Sequence, residues 1–169
     1  TSGRRSMAKP KPFATEVDLC ARFLSAVPKE WTAYAESAGW DILLSRNSDG
    51  FQIGIEAKLR MGTDVINQAI EDGRSYHAEA AGPDCRAVMV PNDAATGFDA
   101  ICAYIGITVI RVMTPPPSGA KFWGSRHDRN FLPDLPREDG QDWSTRNWHE
   151  CCPTRRHKLP EYVPDVPAG

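Results

Sequence analysis

From Phe51 to Leu59 the chain alternates without a break. Phe51, Ile53, Ile55, Ala57 and Leu59 fall on one side, and Gln52, Gly54, Glu56 and Lys58 on the other. A period of two predicts a β-strand with one face on a core. Trp40 to Arg46, built around Ile42, Leu43 and Leu44, predicts the strand before it. Asn47-Ser48-Asp49-Gly50 between them is a strong turn signal, so the pair reads as a hairpin. Trp31 to Ala35 predicts a further strand ahead of both.

Helical spacing governs the segments on either side. Thr15 fits an N-cap, with Asp18 where a capping box wants its acceptor. Val17, Cys20, Ala21, Leu24 and Val27 then recur at helical intervals, with Phe23 alongside, and the helix should stop near Pro28. A second helix opens at Gly62-Thr63-Asp64 and runs to about Ala81, its apolar face drawn from Val65, Ile66, Ala69 and Ile70. Gly82-Pro83-Asp84 breaks it. Arg86 to Val90 reads as a fourth strand, Phe98 to Ile105 as a third helix and Thr108 to Met113 as a fifth strand. The order αβββαβαβ predicts an α/β fold.

Past Thr114 the period is lost. Residues 114–169 read as an irregular Pro- and Trp-rich extension that wraps the core, anchored by Phe122, Trp123, Trp143 and Trp148. Pro160 to Gly169 has the composition of a linker, as if the chain were cut from a longer protein with a further C-terminal domain or a protein partner. At the other end, Thr1 to Ser6 precede the first methionine, Met7, and read as a tag remnant, and residues 8 to 13 as an extended arm. That leaves 14–113 as the core domain.

Composition narrows the class. Of 169 residues, 41% are apolar and 25% charged, which suits one globular domain. The net charge of -2 excludes a global basic field. Local clusters remain: Lys9 and Lys11, Arg126 and Arg129, and Arg155, Arg156 and Lys158, each either a nucleic-acid contact or a solvated face. Five cysteines, an odd count, point to reduced, cytoplasmic usage. No apolar run approaches the roughly 18 residues of a membrane span, and no secretory signal is visible. The oligomeric state is not legible.

The hairpin brings chemistry together. Asp41 starts one strand; Glu56 and Lys58 lie two residues apart on the next. Adjacent strands lie about 4.8 Å apart, so a turn at Ser48–Gly50 sets Asp41 beside Glu56 where the two share a face of the sheet. Two carboxylates that close either take up a proton or bind a hard cation such as Mg²⁺ (or Mn²⁺), with the Ala57 carbonyl as a third oxygen. Such a cation acidifies water into a nucleophile, and Lys58 can stabilise charge on a phosphate. An isolated Glu-x-Lys is far too short to be specific; the bland alternative is two polar residues on the wet face of a strand.

Glu36-Ser37-Ala38-Gly39-Trp40-Asp41-Ile42-Leu43-Leu44, Ile53-Gly54-Ile55-Glu56-Ala57-Lys58-Leu59-Arg60 and Asn67-Gln68-Ala69 resemble the active-site region of the PD-(D/E)XK nuclease superfamily, phage and prophage members above all. The resemblance spans roughly residues 14 to 112. It implies a restriction-endonuclease-like αβββαβ core, a mixed central sheet flanked by helices, and Mg²⁺-dependent hydrolysis of nucleic acid, usually DNA, in a bacterial or phage-encoded protein. Asp41 and Glu56 then resemble the metal ligands and Lys58 the catalytic lysine. Gln68 resembles a helix glutamine that positions the site, Glu36 an additional acid, and Glu16 the acid of the first helix, a further metal ligand. Trp40 stands where the family's name puts proline.

Bland alternatives stand beside these. Glu16 shares a helical face with Cys20, Phe23 and Val27, but is also a first-turn acid favoured by the helix dipole. Glu36 is otherwise a loop acid, Gln68 a solvent-facing residue and Arg60 a strand-end charge. His149, Cys151, Cys152 and His157 have the wrong spacing for a zinc knuckle, and His77 reads as structural. A nuclease-like module that binds nucleic acid or protein without cutting is the competing function.

Overall fold

The computed structural model describes residues 12–71, 82–114, 129–138 and 147–149. Along the chain run α1 (Glu16–Leu24), β1 (Trp31–Ser37), β2 (Trp40–Arg46), β3 (Gln52–Ala57), α2 (Thr63–Glu71), β4 (Cys85–Pro91), α3 (Asp99–Tyr104), β5 (Ile107–Val112) and β6 (Phe131–Leu132). The strands lie in chain order in one six-stranded sheet. The β1–β2 and β2–β3 pairs are antiparallel, β3–β4 and β4–β5 parallel, and β5–β6 antiparallel. Short turns join β1 to β2 and β2 to β3, while the parallel joints carry helices, as each pairing requires.

Both helical crossovers step the same way across the sheet, so crossovers of one hand put α2 and α3 on one face. There Val65, Ile66, Ala69 and Cys102 pack with Leu43, Val88 and Val90. Helix α1 covers the opposite face, where Leu19 and Phe23 meet Ile42, Leu44, Ile53, Ile55 and Ile110. The architecture is α/β, an open mixed sheet between helical layers. Among the described residues no helix is long and apolar enough to cross a membrane.

Local chemistry fixes the elements that matter most. Thr15 and Asp18 close the expected capping box: Asp18 N–H donates to Thr15 Oγ1 at 3.1 Å and Thr15 N–H to Asp18 Oδ2 at 2.9 Å. The β2–β3 turn is held by Asp49, whose Oδ2 meets Arg46 Nη2 at 2.6 Å and whose Oδ1 accepts from Phe51 N at 3.1 Å. Gly50 takes φ 75 there, a conformation that costs glycine little.

Two expectations about α1 need correction. Helix α1 ends at Leu24, capped by Ser25, short of Pro28. Its buried pair is Leu19 and Phe23, whereas Val17 is 76% exposed and Ala21 is exposed. Cys20, Leu24 and Val27 of the expected stripe do pack against that core, so the buried face is shifted toward Leu19 and not replaced. Of residues 114–169, the described stretches lie against the core. Phe131 and Leu132 pair with Val112 and Arg111, and Trp148 is buried with its indole N–H donating to Asp134 O at 2.8 Å. Residues 1–11, Phe122, Trp123, Trp143, Cys151, Cys152, His157 and residues 72–81, which include His77, lie outside the described residues, while Phe13 of the expected arm is buried in the core.

Candidate active site on the first three strands

Three acids stand in a row across β1, β2 and β3. One register step beyond Ile42↔Ile55 sets Asp41 opposite Glu56, and the step between Ala35↔Ile42 and Ser37↔Trp40 sets Glu36 opposite Asp41. The row lies at the carboxyl end of β3, where open α/β sheets form their binding crevices.

Regular pairing fails along this row. Glu36 has φ 45, uncommon for a residue with a side chain, and the β1–β2 register skips it. Trp40 packs on the α2 face with Leu43, while Ile42 and Leu44 pack toward α1. Strict alternation therefore breaks at Asp41. Gly54 makes room for this: a methyl group there would overlap the Trp40 indole.

With the β2–β3 register ending at Ile42–Ile55, the Asp41 side chain takes over. Its Oδ2 accepts from Ala57 N at 2.7 Å. That N–H belongs to the peptide joining Glu56 to Ala57, so one carboxylate rests against the backbone of the second acid. In an extended strand the N–H and C=O of one residue point toward the same neighbour. The Ala57 carbonyl therefore faces the same gap, while Lys58 N–H turns to β4 and donates to Met89 O at 3.0 Å.

Electrostatics ties the side chains together. Glu56 is buried, 8% exposed, and Gln52 at the start of the same strand is buried too, so this is no wet strand face. Lys58 Nζ lies 3.2 Å from Glu16 Oε2. Burial works against the Lys58 ammonium, but the Glu16 hydrogen bond and the charges of Glu16, Asp41 and Glu56 outweigh it. Its pKa consequently lies above that of an ordinary lysine. The Cys20 thiol is pushed up to about 11, chiefly by burial and then by Asp41, Glu16 and Glu36, with Lys58 opposing. Cys20 is thus part of the site's surroundings. The sequence reading placed it in the core; the available signal was its position one helical turn after Glu16.

The remaining candidates are exposed side chains. Gln68 is exposed on α2, and no hydrogen bond ties it to Asp41 or Lys58. Arg60 and His149 are exposed. Among the described residues no three His, Cys, Asp or Glu side chains are placed to hold a metal between them. A cation at Asp41 and Glu56 would need further oxygens from the Ala57 carbonyl, water or substrate. These are hard donors, and they fit Mg²⁺ or Mn²⁺.

A cleft of about 1170 Å³ opens at the other end of the hairpin, against Trp31, Arg46 and Pro136. Arg46 is already engaged there by Asp49 and the Pro136 carbonyl. Comparison with protein-family models, curated proteins and solved structures gave no match.

Proposed function

We propose that the chain is a metal-dependent nuclease, hydrolysing phosphodiester bonds of nucleic acid, DNA first among the candidates, on a restriction-endonuclease-like core. The observation that carries this reading is the Asp41 carboxylate held against the Glu56–Ala57 peptide with Lys58 next along the chain. The chain order αβββαβ of the first six elements supports it.

Asp41, Glu56 and the Ala57 carbonyl would hold the cation. Because Oδ2 of Asp41 is used by the Ala57 N–H, its Oδ1 is the atom left for a ligand bond. A divalent ion bound there supplies Lewis acidity and a more acidic water. In the hydrolysis a water oxygen bonds to phosphorus, the bond to the leaving sugar oxygen breaks, and a water proton ends on that oxygen. Lys58 would assist the attacking water and stabilise charge on the phosphate oxygens. Glu36 and Glu16 add negative charge at the same place. A role for Gln68 rests on the resemblance alone.

The test uses near-isosteric variants. Asp41→Asn keeps an acceptor for the Ala57 N–H, which Asp41→Ala would leave unpaired at a cost of about 1–3 kcal/mol. Asp41→Asn, Glu56→Gln and Lys58→Met should each fold and should each cut a DNA panel at least ~100-fold more slowly in Mg²⁺. Cleavage at the parent rate by all three variants would overturn the assignment.

A further inference from the structure

Among the described residues, three buried side-chain atoms make no hydrogen bond: Trp40 Nε1, Gln52 Oε1 and Arg86 Nε. They come from β2, β3 and β4, yet their side chains surround one residue, Gly54. The Trp40 ring lies over Gly54, and the ring atom nearest to where a methyl would sit is Cε2, which carries Nε1. Arg86 is the register partner of Gly54 on β4. Gln52 precedes Gly54 by two residues in β3, on the same face of the sheet. That face is the one covered by α2. Trp40 packs there with Val65 and Ala69, and Arg86 Nη1 donates to the Ala69 and Ile70 carbonyls at 3.3 Å each. Adjacent strands lie about 4.8 Å apart and same-face neighbours along a strand about 7 Å, so the three side chains start within one small patch. Arg86 Cζ stands 5.9 Å from the Trp40 ring centroid.

Buried polar atoms find a partner roughly nine times in ten or more, so three orphans in one patch call for a common one. Trp40 Nε1 and Arg86 Nε only donate, and Gln52 Oε1 only accepts. A cation would be repelled by the Arg86 guanidinium, and an anion by Gln52 Oε1. Water accepts two hydrogen bonds and donates two, so one molecule can serve all three atoms. We propose that a water molecule is bound inside the fold above Gly54, accepting from Trp40 Nε1–H and Arg86 Nε–H and donating to Gln52 Oε1. This site is separate from the acid row and does not rest on the nuclease reading. The water ties Trp40, the neighbour of Asp41 in the chain, to Arg86, which holds α2 through its carbonyls.

A crystal structure of the intact chain, at a resolution that shows ordered water, tests this without any variant. The expected result is a water about 2.7–3.2 Å from all three atoms. Direct bonds from those atoms to protein groups, or atoms too far apart to share one molecule, would overturn the proposal. So would a bromide peak at the site in a bromide-soaked crystal, which would make it an anion site. In solution, the Trp40 indole proton, assigned through its loss in Trp40→Phe, should show a nuclear Overhauser effect to water with the sign of a long-lived bound molecule. Gln52→Met removes the acceptor and should weaken that effect. No such effect in the parent, or one unchanged in Gln52→Met, also overturns the proposal.

Discussion

Burial and three nearby carboxylates keep the Cys20 thiol protonated well past the pH at which a solvated cysteine ionises. Its folded pKa is raised from 9.0 to about 11, so the folded state keeps a proton that the unfolded state loses. The resulting stabilisation is present below pH 9.0 and fades as pH rises toward about 11. Alkylation of Cys20, followed by mass spectrometry of its peptide, should therefore accelerate toward pH 11 rather than near 9.0. Asp41→Asn should shift that midpoint down. A midpoint at the ordinary value in the parent would mean that α1 does not sit against the acids. Lys58 obeys the same sign: raised above 10.5, it stays cationic through neutral pH and should impose no acid limb on the rate.

The hairpin was legible because two independent signals agreed on it. The alternation of Ile53, Ile55 and Ala57 set the inward face, and Asn47 to Gly50 set the return, so β2 runs from Trp40 to Arg46 as expected. The placement of Asp41 against the Glu56–Ala57 peptide followed from that register. The broken alternation at Asp41 did not, because it depends on where the Trp40 ring goes, which the period does not encode. The same holds for the positive φ of Glu36, and for β6, two residues long and defined only by its partner β5. The Trp40–Gly54 contact gives a prediction for β3. Gly54→Ala should cost about 2–3 kcal/mol in urea unfolding through overpacking, and should loosen Asp41 at the same time. A change under about 0.5 kcal/mol would mean that Trp40 yields readily.

At the scale of the molecule, segments distant in sequence close the face that carries α1. Phe131 stacks on Phe23 with ring centroids 4.8 Å apart, and Trp148 joins the same core. Removing Trp148 exposes apolar surface and orphans the Asp134 carbonyl. Trp148→Ala should therefore cost about 3–5 kcal/mol, read as a drop in the urea midpoint, whereas Trp148→Phe should cost less. The net charge of -2 gives the whole chain little pull on a polyanion, so any affinity for nucleic acid would have to come from local features, the proposed cation site or the basic clusters. The most direct measurement is the anomalous scattering of a crystal soaked in Mn²⁺. The predicted result is a peak about 2.1 Å from oxygens of Asp41, Glu56 and the Ala57 carbonyl. Saturating Mn²⁺ with no peak between those two acids would contradict it.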